Sequence, residues 1–244
     1  MKKYIIALLT FLILPNLHAE NVFEKNFQQQ GDKNLKSLNA NAKTEIYRGW
    51  DKDKDNIMML EEGYDLMGFS SFAGTYVPPA EALVFGEKIK ADTVLVYDRQ
   101  INEATRATAI KRARENIKKK KLDDEGKIEE IIIDENDLAD SDAMFDFYVS
   151  YWAKLPKPLF GTHLINFSQD DERYEDGGLF VVAVIKDSAA ANSGIERKDR
   201  IMSINGVILN EPNEFIKELI KNKGSIVEIA FMRNGNLNNI KVQI

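Results

Sequence analysis

The chain has 244 residues, no cysteine and a formal net charge of -6. That length accommodates a removable leader and two small domains but no large enzyme domain besides. The missing thiols exclude disulfides, thiol catalysis and zinc-thiolate sites, and the acidic balance argues against general nucleic-acid binding.

Residues 1–19 read as an export leader. Lys2 and Lys3 give a positive start, Tyr4 to Leu14 is an apolar run too short to span a bilayer, and the segment ends on Ala19 before Glu20. No Cys follows the run, which excludes a lipoprotein anchor. The expectation is a periplasmic or secreted protein with no stable membrane span once the leader is removed; an uncleaved anchor is the alternative. Residues 20–43, rich in Asn, Gln and Lys, read as a polar flexible arm.

Residues 44–154 read as a small α/β module. Thr44 to Trp50 and Tyr64 to Phe72 are strand candidates, Pro78 and Pro79 suit the first turn of a helix through Ala82, Phe85 and Ile89, and Thr93 to Tyr97 is a buried strand. The run A-L-V-F-G-E-K-I-K-A-D-T-V-L-V-Y faintly resembles the helix and strand of small envelope-associated α/β modules, and the resemblance carries no activity. A charged insertion at about 102–142 follows: a basic helical pattern from Asn102 to Leu122, then an acidic stretch from Asp123 to Asp142 with a strand at Lys127 to Ile133. It reads either as a solvated helix screened by an acidic loop or as a docking face for a partner or anionic headgroups. Phe145 to Trp152 alternates aromatics in a β pattern and is expected to return to the module's sheet, while Pro156 and Pro158 stiffen the junction to the last domain, 156–244.

The most informative stretch is G-L-F-V-V-A-V-I-K-D-S-A-A-A-N-S-G-I-E-R-K-D-R-I-M-S-I-N-G, Gly178 to Gly206. Leu179 to Ile185 is a short β-rich run, Ser188 caps a single helical turn that Gly194 ends, and Arg200 to Ile204 leads to an Asn205-Gly206 turn. These residues resemble the centre of a bacterial, HtrA-like, circularly permuted PDZ domain, with Ala189 where the family has Pro and Lys198 where it has Gly. The resemblance implies an α+β chain: the N-terminal α/β module, then a PDZ-like partly open β-barrel with helices and no protease domain.

It also implies a site. In the family an apolar-apolar-Gly-apolar loop holds a peptide's terminal carboxylate with its backbone N–H groups, and the matching residues are Leu159, Phe160, Gly161 and Thr162. Thr162 to Phe167 would be the edge strand that receives the peptide, with Phe160, Thr162 and Leu164 facing the pocket. Ile216 and Ile220, on a helix from Pro212 to Lys221, would form the opposite wall. The partners implied are C-terminal or extended segments of envelope proteins, bound without cofactor. A groove that binds nothing, or that packs against the first module, remains the alternative.

Two other chemistries follow from spacing. Asp51, Asp53, Asp55 and Glu62 fall at positions one, three, five and twelve, the ligand spacing of a calcium-binding loop, although Asn56 replaces the usual Gly and no flanking helices are expected. A serine protease would need a base, and His163 is the only histidine after the leader, with no G-x-S-x-G upstream. A non-enzymatic adaptor is therefore the reading, with a calcium-dependent interaction protein or an accessory subunit of an envelope protease as alternatives.

Overall fold

A computed structural model describes residues 20–30, 43–101 and 144–244. The leader, part of the polar arm and the charged insertion with its expected helix and strand lie outside them. The described chain is α+β, with two open sheets, each covering its own core.

Strands β1 (Phe27–Gln29), β2 (Glu45–Arg48), β3 (Tyr64–Gly74), β4 (Thr93–Gln100) and β5 (Phe145–Lys154) form the first sheet in the order β1-β3-β5-β4-β2, antiparallel except for β2 with β4. β5 takes the centre because both its faces are buried: Phe147, Val149 and Tyr151 enter one core and Trp152 the other. On the first face lie α1 (Val22–Lys25) and α3 (Pro79–Ile89), whose Ala82 and Phe85 pack with Val94 and Tyr151. On the second lies α2 (Lys52–Glu61), whose Met59 packs with Leu95 and Trp152.

Two segments differ from the sequence expectation. Residues 21–29 are not an arm: Asn21 caps α1 by accepting from the N–H groups of Phe23 and Glu24, and Phe23 is fully buried, edge-on to Phe72 at 5.2 Å and Phe147 at 6.0 Å. β1 then crosses so near β3 that a Cβ on Gly68 would fall 2.5 Å from the Gln28 carbonyl oxygen. The Asp51 to Glu62 stretch is not a loop but α2 with its caps.

The second sheet comprises β6 (Thr162–Ile165), β7 (Leu179–Val184), β8 (Arg200–Ile204), β10 (Ile226–Arg233) and β11 (Asn236–Gln243) in the order β11-β10-β8-β7-β6, with β9 (Val207–Ile208) on β8. A short α4 (Ala189–Asn192) and the longer α5 (Pro212–Lys221) complete the unit. Its core gathers Leu179, Val181, Ile201, Ile204, Phe215 and Ile229. Asn205-Gly206 and Asn234-Gly235 both have two positive φ angles, as tight hairpin turns require. Lys198 also sits at φ 79, a conformation that costs a residue with a Cβ about 1 kcal/mol or more. Its backbone is held there by an N–H donated to the Val181 carbonyl at 2.9 Å and by the neighbouring Asp199, which is buried and accepts both Nε and an Nη of Arg233 at 2.7 Å.

Candidate functional site

The loop before β6 is shaped by its carbonyls. Phe160 O accepts from Ala190 N at 2.8 Å and Gly161 O from Ile185 N at 2.9 Å, which turns both carbonyls inward toward α4 and the end of β7. Gly161 adopts φ 101, and a Cβ there would lie 2.2 Å from Cβ of Ser188. Only glycine meets both demands. With the carbonyls committed, the N–H groups of Phe160 and Gly161 donate to no acceptor among the described residues. Two successive free amides in such a turn make an anion-binding nest.

β6 is the outermost strand of its sheet, pairing only with β7 among the described strands. The pairing slips at Val182, from His163 opposite Ala183 to Leu164 opposite Val181. Leu164 therefore shares a face with core residue Val181 and packs on the core, while Thr162, opposite Val184, keeps a buried hydroxyl with no hydrogen-bond partner. Facing this strand is α5, which buries Phe215 and Leu219 and leaves Ile216 and Ile220, one turn apart, 51% and 61% exposed. Two contacts span the cleft between them. Phe160 meets Phe215 beneath it, and Asn166 Nδ2 donates to the Asn210 carbonyl at 2.7 Å beyond its far end.

Of the residues expected at the site, Leu159, Gly161, Thr162 and Leu164 are gathered at the nest and strand, and Ile216 and Ile220 on the helix opposite. Phe160 departs from the expectation. At 1% exposure it is a core residue, not a pocket wall. Strand alternation begins only at Thr162, and the positive φ at Gly161 breaks the phase before it.

The Asp51, Asp53, Asp55 and Glu62 spacing does not close on a cation. Asp51 caps α2 by accepting from Asp53 N and Lys54 N, Asp55 accepts from Trp50 N at 2.8 Å and the Tyr97 hydroxyl at 3.1 Å, and Glu62 pairs with Lys186. A helix turns about 100° per residue, so it cannot aim positions one, three, five and twelve at one point. Three residues outside the expected set also shape the site: Ser188, legible only as a helix cap, behind Gly161; Asn166 at the distal end; and His163 in β6, whose Nε2 is buried.

A nest, an open edge strand and a facing helix with exposed apolar residues define the class of fold that receives an extended peptide. Residues 162–244 match the family model described as "PDZ domain", and this third of the chain is a PDZ domain. Similar solved structures include the HtrA3 PDZ domain bound to a phage-derived ligand (20% identity, 34% of this chain and 81% of that one, TM-score 0.32). The HtrA-type protease AlgW with a decapeptide is also similar (20% identity, 34% and 27%, TM-score 0.31). So is an aminopeptidase N family protein from Idiomarina loihiensis (22% identity, 34% and 13%, TM-score 0.28). The comparison with curated proteins gave no match.

Proposed function

We propose that this chain is an exported, non-enzymatic adaptor whose PDZ domain captures the C-terminal segments of envelope proteins. The observation that carries this reading is the pair of unengaged amides at Phe160 and Gly161, beside a strand whose outer edge is free among the described residues. A terminal carboxylate would accept from the two amides, the peptide backbone would extend the sheet along β6, and its last side chain would lie among Leu164, Ile216 and Ile220. The non-enzymatic part rests on the domain type, a binding module that presents main-chain donors at its cleft. Export rests on the Lys2-Lys3 start and the apolar run from Tyr4 to Leu14. No helix among the described residues is long and apolar enough to cross a membrane.

Titration calorimetry with free-acid peptides that end in Val, Leu, Ile or Phe tests the reading. Binding tighter than about 1 mM, near 4 kcal/mol, supports it. Failure of every such peptide at that level overturns it.

A further inference from the structure

The backbone amides of Ile185 and Lys186 are consecutive, and they hold two different parts of the molecule. Ile185 N donates to the Gly161 carbonyl of the nest at 2.9 Å; Lys186 N donates to the Glu61 carbonyl at the end of α2 in the first module at 2.8 Å. Around this pivot the two units are fastened once more, by the Lys186 ammonium paired with the Glu62 carboxylate; within the first module the Glu62 carbonyl accepts from Lys154 Nζ. That ion pair raises the affinity of Lys186 for its proton and holds Glu62 below the usual carboxylate range.

His163 completes the connection from within β6. Thr162 and Leu164 turn toward the cleft side, and the intervening imidazole turns away from it, its Nε2 buried without a hydrogen-bond partner and the ring in the field of Asp65 of the first module. Ala183, its partner across the strand, is fully buried yet stands outside the core of its own domain. The end of α2 thus lies against β7, the strand on which the peptide-receiving strand is paired.

We propose that the N-terminal module is a buttress for the peptide-receiving strand, with His163 and the Ile185-Lys186 pivot as the positioning residues that couple module docking to peptide affinity. The inference rests on the groove reading above. Docking fixes the Glu61 carbonyl, hence the Lys186 amide, hence the neighbouring Ile185 amide and the Gly161 carbonyl that it holds. The orientation of the nest amides follows. Because linkage is reciprocal, a bound peptide must tighten docking by the same factor by which docking tightens the peptide.

The test uses the full chain and fluorescein-labelled heptapeptides with a free C-terminal Val, Leu, Ile or Phe. His163→Glu sets a carboxylate in the field of Asp65, at a buried position, and Lys186→Glu sets one against Glu62; neither residue lines the cleft. Hydrogen exchange at the adjacent Ile185 and Lys186 amides reports docking at the pivot, and fluorescence anisotropy reports affinity. Both variants are expected to speed exchange at those amides and to weaken the peptide at least about fivefold. Adding Glu62→Lys to Lys186→Glu should restore both readouts, which loss of fold alone would not allow. Peptide should in turn slow exchange at the same amides in the unaltered chain. Faster exchange with unchanged affinity overturns the coupling and leaves the groove reading standing, and so does exchange that neither variant changes. Should His163→Glu fail to fold, the Lys186→Glu series, made at an exposed side chain, decides the matter. No binding to the unaltered chain overturns the groove reading itself, and with it the inference.

Discussion

Phe160 meets Phe215 edge-on, with ring centroids 5.4 Å apart and planes at 80°. The contact ties the loop that carries the free amides to the helix on the far side of the cleft, so the width of the cleft is set by core packing beneath it.

Replacing Phe160 with Ala removes that tie. The expected cost is about 3 to 5 kcal/mol of stability, the range for a buried Phe truncated in a packed core. Urea unfolding followed by the fluorescence of the domain's tyrosine or by circular dichroism gives the number. A loss below about 1 kcal/mol would place Phe160 at a pocket surface, as its position in the motif first suggests.

Lys198 holds φ 79 where the family resemblance leads one to expect Gly. Lys198→Gly relieves the Cβ strain while retaining the N–H to Val181, and the greater freedom of glycine in the unfolded chain offsets part of the gain. A net stabilisation of about 0.5 to 1 kcal/mol is expected from denaturant titration, with peptide affinity unchanged.

Asp199 is 1% exposed and its carboxylate takes two hydrogen bonds from Arg233 and a third from Glu196 N at 2.8 Å. Asp199→Ala leaves the guanidinium and the turn at Glu196 without their acceptor, at a cost of about 3 kcal/mol or more. Thermal melts of the single variant against an Asp199→Ala, Arg233→Met double variant separate the lost pair from the stranded charge. The double variant is expected to be the more stable of the two.

Burial holds the His163 imidazole below its ordinary value of 6.5, against the opposing pull of Asp65 and the Leu60 carbonyl. A depressed value in the folded state means that the unfolded chain binds the proton first. The contribution is therefore present above pH 6.5 and is lost as pH falls from there through the folded value. Glu62 and Glu214, whose carboxyls are held below 4.5, act in a lower window. Stability measured from pH 7.5 to 5 should fall, and His163→Gln should flatten that part of the curve.

The second domain was largely legible because its information is local. Ser188 caps, Asn-Gly turns, the β-rich run at Leu179 and the spacing of Phe215 and Leu219 each dictate their own geometry. Much of what was missed depends on distant partners. Phe23 sits among Asn, Gln and Lys and looks like part of an arm until Phe72 and Phe147 close on it. The α2 stretch lacks a clear apolar stripe, and it is helical because Asp51 caps it and Met59 reaches Leu95 and Trp152 across the sheet. At the site, the motif located Gly161 and Thr162, but alternation misassigned Phe160 because the strand starts one residue after the glycine. The burial of His163 was not legible because nothing in its own strand announces the module behind it.

The central claim is that the cleft grips a terminal carboxylate at the Phe160 and Gly161 amides, and its most direct test compares one peptide in two chemical forms. A heptapeptide ending in a free carboxylate is titrated beside its C-terminal amide, against the unaltered chain and against Ile220→Asp, an exposed change that spares the core. The free acid should bind at least about tenfold more tightly than the amide, a difference near 1.4 kcal/mol, and Ile220→Asp should weaken it with no shift in melting temperature. Equal affinity for acid and amide would contradict the nest, whatever else the cleft binds.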